Sequence, residues 1–411
     1  MYSTFGQQFA GPSGTRELMD DLGTLARGGA GLLNLGGGNP SHIPRMAQVL
    51  SDAWQAIPVA EWLALAAVYD APQGYQPLRE SLAELLSARC GWPVSADNLL
   101  VTAGSQASFF SVFNVLAGAS SGGPRRILLP QAPEYIGYGQ SAIDPRTLVS
   151  YPARIECLSG QRFRYRPDFD AIAQAQDIAA VCVSRPCNPT GNVMSDADLA
   201  TLRTITRARN LPLLVDCAYG EPWPGISFVP STLSWQEDLV LFLSFSKLGL
   251  PGLRTGLVVA RADLIDVLTS VNAMLTLAPT AVGARLLVEV MRRHDLLDLA
   301  ANVVRPHYAD HSRIAQALAD EALAGLDYRI HVSEGAIFLW LWFPGLPAPV
   351  QQLYEKLKAR GVLVIPGHHF GPGLEAPWPH LTQCVRISYA QPEDSLRRGL
   401  SILAEEVRAL H

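Results

Sequence analysis

The sequence predicts an α/β protein: a large unit on a mainly parallel central sheet, with a smaller α+β unit after it. Three observations carry this. From about residue 98, short apolar runs alternate with amphipathic stretches, the pattern of βα units that lay helices against a sheet. Those runs are rich in Val, Ile and Leu and lack clean alternation, as parallel strands buried on both faces do. The last third changes to longer helical segments broken by brief apolar runs.

Taken in order, residues 1–50 are rich in Gly and Pro and hold too few periodic apolar positions to fold alone, so they are expected to pack with the smaller unit. Residues 51–285 form the large unit and 286–411 the small one. Strands are expected at 98–102, 126–129, 179–184, 211–216, 239–244 and 256–260. Residues 107–116 read as a helix after the first strand, and 195–209 as another, with Ser195 as N-cap and Asp198 three residues on. Residues 282–325 are helical in pattern, with a break near Pro306. A buried strand at 336–343, a helix at 350–360, a short strand at 362–365 and a final helix near 392–409 complete the chain.

Composition narrows the function. The 411 residues are 48% hydrophobic and 17% charged, with a net charge of -5 and no basic stripe, which argues against nucleic-acid and membrane-surface partners. No apolar run approaches the roughly 20 residues needed to span a bilayer, and the first ten residues lack the features of a secretory signal. Cys90, Cys157, Cys182, Cys187, Cys217 and Cys384 show no paired spacing, so thiols in a reducing cytoplasm are expected. His368, His369 and His380 lie in a Gly/Pro-rich stretch without a carboxylate at ligand spacing, so packing or hydrogen bonding is expected there and no metal.

Chemistry gathers where apolar runs end. Lys247 follows one such run, with Ser244 and Ser246 before it and Arg254 seven residues on. A buried lysine loses affinity for its proton and becomes a nucleophile for aldehydes, while hydroxyls and an arginine beside it suit a dianionic phosphate. Asp216 ends another run, with Tyr219 three residues later. A buried aspartate needs a cation or hydrogen-bond donors, and a pyridinium nitrogen is such a cation. Asn188 opens an Asn-Pro-Thr-Gly turn after a third run; its amide and the Tyr219 hydroxyl can both donate to a ring phenolate. Gly104, Ser105 and Gln106 follow the first strand, and free N–H groups at a helix start suit phosphate. Tyr135 could stack on a flat ring.

In order, strand-end placement and interval, this set resembles the fold-type I pyridoxal-phosphate enzymes of the aspartate aminotransferase superfamily. The resemblance implies that fold, with pyridoxal 5'-phosphate held as a Schiff base on Lys247. It implies that Asp216 pairs with the ring nitrogen, and that Asn188 and Tyr219 hold the ring hydroxyl. Gly104, Ser105, Gln106, Ser244, Ser246 and Arg254 would grip the phosphate, and Tyr135 would complete the cofactor site. Tyr69 looks like the tyrosine that reaches the phosphate from the neighbouring subunit of a homodimer. Arg386 looks like the arginine for the substrate α-carboxylate, and Gly38 like the glycine whose backbone lies against the substrate, where Asn188 also contributes.

A narrower likeness runs through residues 36–40, 69–74, 132–138, 186–193, 246–252, 334–343 and 357–368, which look like the bacterial valine–pyruvate aminotransferases. It implies a ping-pong transfer of the amino group between valine or alanine and pyruvate or 2-oxoisovalerate. The same catalytic set would serve a C–S lyase or another amino-acid aminotransferase. A non-catalytic regulator on this fold is disfavoured, because the glycine block at Gly36 leaves no room before it for a DNA-binding domain.

Overall fold

Strand Leu99–Thr102 stands at one edge of the central sheet, and Gly256–Val259, Leu239–Ser244, Leu213–Asp216, Ile178–Ser184, Arg126–Ala132 and Leu148–Pro152 follow it across. All run parallel except Gly256–Val259, which is antiparallel to both neighbours. This computed structural model describes residues 2–10, 16, 20 and 32–410. The expectation for residues 1–50 therefore falls in part outside the described residues.

Burial on both faces explains the missing alternation. Leu239, Leu241 and Leu243 enter one core, while Val240 and Phe242 between them enter another on the opposite face. The second core is closed by Phe109, Val112 and Phe113 of helix Ser105–Leu116 and by Leu264, Ile265 and Leu268 of helix Ala262–Thr276. Helices Pro44–Ala56, Gln76–Cys90 and Ala281–Arg293 cover the first face. Helix Asp196–Ala208 is capped by Ser195, whose side chain accepts from the Asp198 N–H.

A second sheet runs in the order Ile365–Pro366, Cys384–Ser388, Phe338–Trp342, Arg329–His331, Arg162–Arg166, Arg154–Leu158. Its last two strands form a hairpin that lies within the span expected for the large unit, 51–285, yet pairs with the C-terminal strands. Arg162, Phe163, Arg164, Tyr165 and Arg166 alternate, and Phe163 and Tyr165 are buried among Trp340, Phe370 and Leu381. That apolar face draws the hairpin across. Leu33–Asn34 pairs in parallel with Val362–Leu363, which brings the following glycines toward the cleft between the sheets.

The break expected near Pro306 is displaced. Helix Ala281–Arg293 ends before His294, and a new helical run then passes through Leu296–Leu299, a turn of π-helix at Ala300–Val304 and Arg305–Ala322. Proline lacks an N–H and its ring crowds the carbonyl four residues back; a widened turn just before it lets the run continue. Helix Pro44–Ala56 likewise begins inside the stretch read as unable to fold, burying Met46, Val49 and Ala53 at helical spacing.

Candidate active site

Thr102, Ser184, Asp216 and Ser244 each end a parallel strand, so their side chains gather at one edge of the sheet, where ligands collect in open α/β folds. The antiparallel strand starts at this same edge: Gly256 lies opposite both Ser244 and Thr102, so the preceding Arg254 arrives there too. The resulting cavity is lined by Ser105, Gln106, Phe109, Tyr135, Ser184, Pro186, Asn188, Asp216, Ala218, Tyr219, Ser244, Ser246, Lys247 and Arg254.

One end of the cavity suits a phosphate. Gly104 caps helix Ser105–Leu116 at φ +91°, a backbone that favours glycine, and a Cβ there would collide with the Arg254 guanidinium. Backbone and arginine therefore meet at a helix N-terminus with free N–H groups. The Ser105 Oγ is buried without a hydrogen-bond partner among the described residues, an acceptor or donor left for something else. Gln106 turns its amide away, donating to the Gly137 carbonyl at 2.9 Å and accepting from the Tyr135 hydroxyl at 3.1 Å. What it can offer a phosphate is thus its place in the first helical turn.

At the other end Asp216 is fully enclosed. Its Oδ1 accepts the Ala218 N–H at 2.9 Å and its Oδ2 the Tyr138 hydroxyl at 2.8 Å. Burial pushes the carboxyl up to about 6, against the pull of those two bonds and of Lys247. An added cation would complete its pairing, and a protonated ring nitrogen would be such a cation.

The Lys247 amine lies between these ends, donating to the Gly38 carbonyl and standing 5.2 Å from the centre of the Tyr219 ring. Burial first, then Arg386 and Arg254, lower it to about 8, and Asp216 partly opposes them. Part of the amine is therefore neutral, and nucleophilic, near neutral pH. Arg386 is buried on strand Cys384–Ser388, with its guanidinium 4.1 Å from the centre of the Phe338 ring and 5.1 Å from that of Phe370. It donates to the Asn188 Oδ1 at 2.7 Å and to the Gly36 carbonyl at 2.6 Å, and its Nε is buried without a partner among the described residues. Phosphate cradle, enclosed carboxylate, partly neutral amine and orphaned hydroxyl together fit pyridoxal phosphate.

The sequence-predicted residues thus converge, with one exception. Tyr69 lies outside the cavity, 78% exposed beyond helix Val59–Ala67. Sequence reasoning missed Tyr138, which holds Asp216 from 78 positions away, and also Ser184, Phe109 and the buried Glu134 behind the wall. Tyr138 could have been sought from its spacing, three residues after Tyr135 in the same stretch. His380, set aside as a ligand, packs in the second sheet with its Nε2 2.5 Å from the Tyr165 hydroxyl.

Residues 30–403 match the family described as aminotransferase class I and II. The chain is 41% identical over 411 residues to the valine–pyruvate aminotransferase of Escherichia coli K12, covering 99% of this chain and 98% of that one. The crystal structure of valine-pyruvate aminotransferase from Salmonella typhimurium LT2 superposes with a TM-score of 0.88 at 40% identity, over 96% of this chain and 99% of that one. That of a putative amino-acid aminotransferase from Psychrobacter arcticum 273-4 gives 0.94 at 35% identity, over 100% and 99%.

Proposed function

This chain belongs to the class I and II aminotransferases, and from that premise we propose that it exchanges amino groups between valine or alanine and pyruvate or 2-oxoisovalerate. It is a pyridoxal-phosphate-dependent enzyme with the fold-type I architecture. The observation that carries the substrate reading is the near full-length likeness to valine–pyruvate aminotransferases. A physical argument supports it. Apart from Arg386, which meets the cavity through Asn188, Arg254 is the one arginine among the described residues at the cavity, and it sits at the phosphate end. Arg386 accounts for one substrate carboxylate; a second, on an acidic side chain, would be desolvated without a partner.

When bound, pyridoxal phosphate supplies the aldehyde to which an amine attaches and the ring that takes up the electron pair released at the substrate Cα. Lys247 provides the attaching amine and, once freed by substrate, carries the proton from Cα as general base. Asp216 keeps the ring nitrogen protonated. Asn188 and Tyr219 donate to the ring hydroxyl, and Arg386 fixes the substrate carboxylate beside the Gly38 backbone. Ser105, Ser244, Ser246, Arg254 and the first-turn amides of Ser105–Leu116 hold the phosphate.

A homodimer with shared sites is part of the same reading. Helix Val59–Ala67 has no buried residue although it is strongly apolar, and Val59, Leu63, Val68 and Tyr69 are all more than 60% exposed. Such a face needs cover, and a second copy would also bring Tyr69 toward a neighbouring phosphate site. Among the described residues no helix is long and apolar enough to cross a membrane. The cytoplasm is the proposed setting, on cysteine usage.

The test is kcat/KM for valine, alanine, leucine, glutamate and aspartate with pyruvate or 2-oxoisovalerate as acceptor. Aliphatic donors should react within a broad range, since a methylene distinguishes them by only about 1–3 kcal/mol. A preference for either dicarboxylate would overturn the substrate assignment.

A further inference from the structure

Glu134 is a second buried carboxyl at the cofactor cavity, and none of the steps above uses it. Fully enclosed, it sits just beyond strand Arg126–Ala132, beside the end of the neighbouring strand Ile178–Ser184. Its Oε1 accepts the Ser184 N–H at 3.1 Å. Its Oε2 accepts from the Ser184 Oγ at 2.5 Å and takes a long bond from the Tyr135 N–H at 3.3 Å. The Cys187 Sγ lies 4.0 Å away, and the charge of Asp216 also bears on it.

Among the described residues no salt bridge to Glu134 is found, and no cation is among the main groups that shift it, so an ionised Glu134 would be a buried charge without a close counter-ion. Burial pushes its carboxyl up to about 8, against the pull of the bonds from Ser184 and from the Tyr135 N–H, and Asp216 adds to the rise. A proton on Oε2 reverses the bond between them: the neutral acid has an O–H to donate, and the Ser184 Oγ, 2.5 Å away, is the acceptor within reach. A serine hydroxyl that accepts this bond has its own hydrogen left to direct elsewhere. Ser184 lines the cavity and stands in register with Asp216 on the adjacent strand.

We propose that Glu134 and Ser184 form a further positioning pair of the cofactor site. Glu134, as a neutral acid, donates to the Ser184 Oγ, and the Ser184 hydroxyl thereby points its own hydrogen into the cavity as a donor to an oxygen of the bound cofactor. Asp216 then remains the single negative charge facing the ring nitrogen. The proposal rests on Lys247 as the cofactor lysine, which borohydride reduction and peptide mapping of the wild-type enzyme test separately.

The variants separate a donor role from a structural one. Glu134→Gln keeps one acceptor and one donor in the shape of the neutral acid, Glu134→Ala keeps neither, and Ser184→Ala removes the hydroxyl. Two quantities are read on each holoenzyme: the dissociation constant for pyridoxal phosphate, by dialysis, and the pH midpoint of the cofactor absorbance. Ser184→Ala should weaken cofactor binding about tenfold, the worth of one hydrogen bond at an enclosed site, and move the midpoint. Glu134→Gln should leave both within about twofold of wild type. Adding Glu134→Ala to Ser184→Ala should give less than the sum of the separate effects. Thermal unfolding of the apoproteins should not distinguish Glu134→Gln from wild type, whereas Ser184→Ala, which orphans the buried Glu134 O–H, should unfold at a lower temperature, so its cofactor readings are taken well below that temperature. Unchanged binding and midpoint in Ser184→Ala would overturn the proposal. So would a Glu134→Gln midpoint displaced as by loss of a negative charge. If Glu134→Ala does not fold, Ser184→Ala and Glu134→Gln still decide.

Discussion

Arg386 donates its Nη1–H to the Oδ1 of Asn188, 198 positions away, at 2.7 Å. A guanidinium has donors only, so the Asn188 oxygen must face it, and the amide NH2 is turned the other way. One contact therefore sets the orientation of a cofactor-side donor from the second sheet. Burial lowers Arg386 to about 10, with Tyr219 and Tyr135 opposing the fall, so it stays charged near neutral pH, between the rings of Phe338 and Phe370 and with two acceptors for its N–H groups.

Arg386→Lys should accordingly damage more than charge. Lysine keeps the cation but not the planar fork that reaches Asn188 and Gly36 together. The loss in kcat/KM for alanine should lie in the range of about 2–5 kcal/mol typical of a broken buried charge contact. Steady-state kinetics check it, with the cofactor absorbance retained as evidence of an intact site.

For Lys247 the expectation is a pH dependence. The reactive form is the neutral amine, and burial lowers the group to about 8. Recombination of apoprotein with pyridoxal phosphate should quicken as pH rises and level off above about 8. By linkage, the amine gives up its proton in the native chain before the unfolded one does. Apoprotein stability should thus gain from this group between about 8 and the ordinary lysine value. Rapid-mixing absorbance across that range tests the first statement; a rate still climbing toward pH 10 would contradict it.

Gly104→Ala should loosen the cofactor. The residue sits at φ +91°, and its new Cβ would displace the Arg254 guanidinium. Gly91→Ala is the control: φ is +67° there, but nothing lies within 4 Å of the added carbon. Both should lose about 1 kcal/mol or more of stability from backbone strain. Only Gly104→Ala should also raise the dissociation constant for pyridoxal phosphate, by more than about tenfold if Arg254 is moved off the phosphate. Equal cofactor affinity in the two variants would remove Arg254 from the phosphate site.

Mixing Tyr69→Phe chains with Lys247→Ala chains tests the shared site. If Tyr69 crosses to the partner, each heterodimer has one site with both defects and one with neither, and half the wild-type activity per dimer returns. Should heterodimers instead perform no better than a Tyr69→Phe site, the tyrosine serves its own subunit.

What was legible in the sequence follows from range. The strand expected at 239–244 is found there, because five consecutive apolar side chains buried on two faces leave a local signature ending at Ser244. The cofactor-side residues were legible for the same reason, each standing just past such a run. Tyr138 and Glu134 were not, since their meaning lies in contacts with Asp216 and Ser184, 78 and 50 positions away. The hairpin Arg154–Leu158 and Arg162–Arg166 alternates visibly, but nothing local says which sheet it joins. Pro306 was misplaced as a break because the π-helical turn that accommodates it has no signature in residue type.

That hairpin sets a timetable for the ribosome. Tyr165 donates its N–H to His331 across 166 positions, and its strand pairs on one side with Arg329–His331. At about 5–20 residues per second, roughly 10–30 s pass between the emergence of the hairpin and that of its partner. During that interval the nascent chain carries Phe163 and Tyr165 beside an unpaired strand edge, the surface that a holding chaperone recognises.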